Sequence, residues 1–275
     1  MRRALTSLAL ALALAVVLGW PTVAAVRAAR RAAAPMLGTD AARPLRLAAE
    51  TIRLVAATEA IALLAGVLLA FWLFRTDLWG RRVWIGLMAL SLFVPMPLHA
   101  LAWLGALGNV GRSQAIGSRP ILVGWQGAAV VHALAAIPWV VLLVGVGLRG
   151  VEAELEEAAL LDLPAWRVVL RLSLRRAIGA IAGAALAVAV LTAGDMTVTD
   201  LVMVRTYAEE AYTQFQASGS AAAAAIALPT LAVLGPLVLL AAAWVLHSDP
   251  ARLASTAARA RTWRLGPWRG PLGLV

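Results

Sequence analysis

Residues 152–176 read EAELEEAALLDLPAWRVVLRLSLRR, and they divide by charge. Glu152, Glu154, Glu156 and Glu157 come first. Beyond Asp162-Leu163-Pro164, Arg167, Arg171 and Arg175 follow at intervals of four. Apolar sequence of membrane grade runs up to this stretch and resumes after it. Val151, Leu155 and Ala158-Ala159 recur at helical spacing and give the acidic half an apolar stripe. Pro164 suits the first turn of a second helix, where its missing N–H is unpaired anyway, and Asp162 is well placed as a start signal. In that second helix Trp166, Leu170 and Leu174 form an apolar row, with the three Arg beside it. Two short helices of opposite charge, joined at a turn, look like a docking surface that passes a rigid-body push to the apolar segments on either side.

Composition sets the environment. Hydrophobic residues are 62% of the 275 and charged residues 14%, whereas soluble domains run at about 45–50% apolar and about 25% charged. The chain therefore reads as an all-α polytopic membrane protein with a single transmembrane domain. Its net charge of +10 rests on Arg alone, because there is no Lys. Arg flanking apolar spans accounts for that charge without a nucleic-acid partner. The absence of Cys excludes disulfides, thiolate metal sites and Cys nucleophiles. The absence of Lys excludes a phosphate-binding loop of the P-loop type, so any ATP this protein uses is bound by another subunit.

About six spans are expected, near residues 4–26, 54–74, 83–107, 123–148, 177–193 and 221–246. The first follows Arg2 and Arg3 and is long for a secretory signal, whose apolar core is ~7–15 residues; an uncleaved helix is the favoured reading. Pro35 and Pro44 read as breakers in the connector 27–53. Glu59 lies early in the second span, at a hydrated mouth or against a substrate path. Pro95 and Pro97 must kink or break the third span. Irregular backbone at membrane depth survives only inside protein or along a wet cavity, so Pro95, Pro97 and His99 are candidate pathway residues, although a packing kink fits equally. His132 in the fourth span reads as a hydrogen-bonded interior residue. Gly179 and Gly183 in the fifth form a pair that admits a close neighbour. Asp195 and Asp200 follow it, in a re-entrant turn or a hydrated lip. The Arg-rich tail reads as lying on the membrane surface.

With six spans, fifteen Arg fall on the side holding both termini and residues 152–176, and nine on the other. The excess of positive charge places that side in the cytoplasm.

The run Glu157-Ala158-Ala159-Leu160-Leu161-Asp162 resembles the EAA loop of binding-protein-dependent ABC importer permeases. The turn Arg75-Thr76-Asp77-Leu78-Trp79-Gly80-Arg81-Arg82, the Pro-rich third span and Gly194-Asp195 are similar to the iron(III)-type branch. The resemblance implies a type I ABC importer permease fold with a coupling loop at 152–176. Glu156, Glu157, Ala158, Ala159, Asp162, Leu163 and Pro164 would meet the ATPase, and Arg167, Arg171 and Arg175 would position the loop. It also implies two ABC ATPase subunits that bind the ATP, a periplasmic or lipid-anchored solute-binding protein, a second permease or a homodimer, and a multi-pass place in the bacterial inner membrane. The substrate implied is iron(III) or another small solute. Two positions depart from the family pattern. Leu163 stands for the motif Gly, so the turn is expected at Asp162-Leu163-Pro164 with its own geometry, and Arg175 stands for a Pro. An intramembrane enzyme, or a structural or assembly protein without an ATPase, is the other reading. No HExxH, G-x-S-x-G or paired-acid motif supports catalysis, and no metal site is expected.

Overall fold

The computed structural model describes residues 42–108, 120–247 and 261–266, with positions 19, 23, 24 and 26–28 ahead of them. Among the described residues the chain is helical, with no strand and two isolated bridges, Thr76 with Trp263 and Gly108 with Leu122. It divides into two compact units, Met1–Thr51 with Arg205–Pro236, and Ile52–Val204 with Leu237–Val275.

The first long helix, α1 (Arg43–Arg75), has 33 residues. At 1.5 Å per residue it is about 50 Å long, well beyond a hydrocarbon core of ~30 Å. The expected span 54–74 is thus the later part of a helix that begins in the connector. Pro44 does not break it, because a ring in the first turn displaces no intrahelical hydrogen bond. After the turn at Gly80 (φ 73°), the expected third span is two helices, α2 (Arg81–Ser91) and α3 (Met96–Leu107), which meet at 107°. Pro95 is extended just ahead of α3 and Pro97 sits in its first turn. The two rings therefore start a helix rather than distort one.

α4 (Gly124–Arg149) fills the fourth expected span, with Pro138 inside it. Then come α5 (Ala153–Asp162), α6 (Ala165–Val168), a π-helical turn (Val169–Ser173) and α7 (Leu174–Arg176). α8 (Ile178–Gly194) takes the fifth place, bent by 65° from the segment before it. α9 (Thr197–Leu201), α10 (Tyr207–Ser218) and α11 (Ser220–His247) follow. Among the described residues α1 and α4 are each long and apolar enough to cross a membrane, and two bent pairs raise the number to at most four. The described residues do not reach six spans. Apart from a few positions the expected span 4–26 lies outside them, as do residues 109–119 of the next loop.

In the unit that holds residues 52–204, the core is built from small side chains. Ala62 and Ala70 of α1, Ala133, Ala136, Val140 and Val144 of α4, and Ala184 and Val188 of α8 form one buried cluster. A second joins Leu54, Leu104, Val131 and Val198 from α1, α3, α4 and α9. Lipid supplies no hydrophobic drive between helices, so such packing depends on how closely the backbones approach. A Cβ on Gly66 would lie 2.6 Å from that of Val140, and one on Gly147 would overlap the Ala180 methyl. Gly183, expected to admit a neighbour, has nothing within 4 Å of its missing Cβ. Within the same unit Trp263 N–H donates to Arg75 O (2.7 Å), Asp77 N–H to Trp263 O (3.1 Å) and Leu265 N–H to Asp77 Oδ1 (2.9 Å). These bonds hold residues 261–266 against the turn after α1.

In the other unit, the buried Glu210 of α10 pairs with Arg43 and Arg205 and accepts from Gln214 Nε2 at 2.9 Å. Tyr207 N–H donates to Thr51 Oγ1 at 3.1 Å.

The helix contacts give a paired prediction for the detergent-solubilised protein. Gly147→Ala inserts a methyl into a closed crossing and lowers stability by about 1–3 kcal/mol, read as a fall in the thermal midpoint. Gly183→Ala meets open space and leaves the midpoint unchanged or slightly raised.

Candidate functional site

The stretch 152–176 is held from inside by one guanidinium. Arg75, the last residue of α1, is fully buried (0% exposed). Its Nη1 donates to Leu148 O (2.9 Å) and Val151 O (3.4 Å), and its Nη2 pairs with Glu156 Oε2. The last carbonyls of a helix have no intrahelical donor, and Arg75 supplies one at the end of α4. Ser173 Oγ in the π turn donates to Glu156 Oε1 at 2.5 Å. Both carboxylate oxygens are therefore occupied, while the buried Arg75 Nε makes no hydrogen bond among the described residues. The ends of α1 and α4, the first turns of α5 and the π turn meet at this point.

Glu156, a sequence candidate for the ATPase contact, is turned inward and fully buried. It braces the loop, and its neighbour Glu157 is exposed. The apolar stripe expected on α5 is displaced accordingly: Val151 is buried but precedes the helix, and Ala158 is exposed. Leu163 is extended (φ −128°, ψ 144°), the conformation a following Pro imposes. No left-handed residue is needed there, and the missing Gly costs nothing. Leu163 N–H closes α5 on Ala159 O at 2.9 Å, and Pro164 stands as the cap of α6.

The π turn changes the second half. One extra residue per turn alters the helical register there, and burial differs along the expected row of Trp166, Leu170 and Leu174. Leu174 packs against the helix core, whereas Trp166 and Leu170 are exposed. Arg167, Arg171 and Arg175 are exposed as well, with the Arg167 guanidinium 5.0 Å from the centre of the Trp166 ring. Leu161, 87% exposed, Glu157, Asp162, Pro164 and Trp166 thus form an outward surface of apolar and charged groups.

A second site lies in the same unit. A cavity of about 400 Å³ is lined by Ser91, His99, His132, Trp139, Thr192 and Asp195, among others. The break between α2 and α3 opens it. Pro95 and Pro97 shape that break but do not line the cavity; Met96 and His99 do. Glu59 is outside the lining and half-buried, and Asp200 is exposed. His132 Nε2 lies 3.2 Å from Asp195 Oδ2, and Val198 N–H donates to the same oxygen at 3.0 Å. Burial alone would raise the Asp195 carboxyl. Hydrogen bonds from His132 and the Val198 and Thr197 N–H groups, with the charge of His132, outweigh it and hold that carboxyl below its ordinary range. Among the described residues no group of three His, Asp or Glu could hold a metal ion.

The sequence named Asp195 and His99 separately and left His132 as an interior residue. The separation of 63 positions between His132 and Asp195 left no local signal that they pair.

Over 125 residues the chain is 34% identical to a probable molybdenum ABC transporter permease protein of Haloferax volcanii, covering 45% of this chain and 46% of that protein. The match thus spans less than half the length of that relative. No protein-family model matches the chain. The likeness supports the ABC permease resemblance and a multi-pass membrane protein; the iron(III)-type branch finds no support in it, since the relative is named for molybdenum.

Removing one partner of a buried pair strands the other charge. Arg75→Ala and Glu156→Ala are each expected to destabilise the protein by about 3–5 kcal/mol. The double variant costs less than the sum of the two single changes, by a coupling of about 1–3 kcal/mol, measured by denaturant unfolding of the four proteins in one detergent.

Proposed function

We propose that this chain is the transmembrane subunit of an ATP-driven importer and that residues 152–176 are its contact with the motor. The observation that carries the reading is a loop braced from within by Arg75 and Glu156 that presents Leu161, Trp166 and Glu157 outward. A loop that transmits a push needs such a brace, because a soft connector absorbs the displacement. The likeness to an ABC permease over part of the chain points the same way.

In this reading two ATPase subunits in the cytoplasm bind ATP and seat the loop, and a solute-binding protein delivers cargo on the opposite face. The chain pairs with itself or with a second permease to enclose the path, in a six-span arrangement in the bacterial inner membrane. ATP-driven closure of the motor shifts α5 and α6, and the Arg75 junction passes that shift to α1 and α4. The cargo is a small solute. The iron(III)-type resemblance and the molybdenum in the relative's name set the first two to try, an iron(III) complex and molybdate.

Glu157→Arg and Leu161→Asp are predicted to strip the ATPase from the membrane, with a loss of retention of about thirtyfold for a contact worth ~2 kcal/mol. Both variants keep the thermal midpoint of the wild type, because neither side chain is buried. ATPase that stays membrane-bound in both variants contradicts the docking role. A reporter fused after Leu161 is expected to read cytoplasmic, and a reading on the other side contradicts the topology. With the binding protein and ATPase reconstituted, the true cargo raises ATP hydrolysis and the other does not.

A further inference from the structure

The turn that closes α1 gathers more positive charge than its carboxylates neutralise. Trp263 runs beside Thr76 as a parallel bridge, tied by Trp263 N–H to Arg75 O (2.7 Å) and by Asp77 N–H to Trp263 O (3.1 Å). Leu265 packs against the cluster of Leu73, Phe74, Leu78 and Val141. Arg residues stand on both sides of that tie. The Arg261 guanidinium lies 5.0 Å from the centre of the Trp263 ring, and Arg264 is exposed. From the other side of the turn, Arg81 Nη1 donates to Thr76 O at 2.8 Å. Arg149, the last residue of α4, sits over the Phe74 ring at 4.7 Å.

Among the described residues none of Arg81, Arg149, Arg261 and Arg264 has a carboxylate partner. The carboxylates at hand are in use, Glu156 on the buried Arg75 and Asp77 on Leu265 N–H. Aromatic faces hold two of the four guanidiniums, and a ring leaves the N–H edge of the fork open. Such edges match the oxygens of a phosphate. Like charges gathered in one place also repel, and a bound anion relieves that repulsion.

The surroundings identify the source of the anion. The turn closes α1 and Arg149 closes α4, and each of these helices is long and apolar enough to cross a membrane. Trp79, in the same turn, is 57% exposed, as an indole at headgroup level is. On the two helices that flank the turn, Leu68 and Trp72 of α1 and Val83 and Leu87 of α2 are exposed as well. A lipid offers phosphate to the Arg side chains and acyl chains to these apolar ones. A free phosphate or an acidic protein surface offers only the first.

We propose that Arg81, Arg149, Arg261 and Arg264 form a site for the phosphate of an anionic lipid headgroup, completed by residues 261–266 where they lie against the turn. The site stands apart from the ATPase contact and holds whether or not that contact is correct.

Native mass spectrometry of the full-length protein, stripped of lipid in detergent and then offered equal phosphatidylglycerol and phosphatidylcholine, tests the site. The wild type is expected to retain phosphatidylglycerol in preference. Arg261→Gln combined with Arg264→Gln should lower that retention by about thirtyfold, at about fivefold for each basic side chain beside an anionic headgroup, and leave phosphatidylcholine unchanged. Arg261→Lys combined with Arg264→Lys keeps the charge and should keep most of the preference, which separates lost recognition from lost folding. Arg167→Gln combined with Arg171→Gln removes the same charge elsewhere in the chain and should keep all of it. Equal retention of the two lipids by the wild type overturns the site. An equal loss in both Gln pairs overturns it too, because net charge alone would then account for the preference. Glycerol phosphate retained as well as the whole lipid would show a free-anion site and overturn the assignment to lipid.

Discussion

Burying a guanidinium is costly unless a carboxylate and hydrogen bonds compensate it, and much of this structure follows from how Arg75 is held. Its donors are shared among the closing carbonyls of α4 and the Glu156 carboxylate. Ser173 then takes the remaining oxygen of Glu156. Each of these groups belongs to a different element, so the ends of two long apolar helices and both halves of the charged loop are fixed relative to one another. An exposed pair of the same residues would contribute about 0–1 kcal/mol. Burial makes it costly to break and therefore able to transmit a displacement. The coupling is mechanical, between groups that cannot be separated cheaply.

Once the brace faces inward, the outward surface is set. Glu157, Leu161 and Trp166 are left for a partner because the carboxylate and hydroxyl that hold the loop have already been used beneath them. The cavity obeys the opposite logic. There, Pro95 and Pro97 end one helix and start another, leaving space beside α4 that His132 and Asp195 border. In the unit of residues 52–204, a buried ion pair thus serves the loop, and a histidine–carboxylate pair borders the cavity.

Much of the fold was legible because apolar runs long enough to cross a bilayer announce themselves. The fourth and fifth expected spans agree with α4 and α8 to within a residue or so. The break at Pro95 and Pro97 could be read from what a ring does to a helix. Other features could not. Pro44 reads as a breaker in the sequence because the start of α1 carries no local mark, and a Pro is harmless only in a first turn. Arg75 sits near Arg81 and Arg82, and the sequence does not distinguish a buried Arg from its solvated neighbours. Glu156 and Glu157 differ by one position, about 100° around a helix, and only the location of Arg75 decides which turns inward. The π turn depends on tertiary contacts and leaves no periodic mark, and the partial burial of Leu174 beside exposed Trp166 and Leu170 could not be read from their spacing.

The central claim is that Glu156 and Arg75 hold residues 152–176 rigid beneath their outer surface. Amide hydrogen exchange across the intact chain, compared between the wild type and Glu156→Gln, tests it most directly. The brace predicts slow exchange from Ala153 to Arg176 in the wild type and a loss of protection in the variant that is larger there than in α4 and the later turns of α8. Equal protection of the loop in both proteins would contradict it.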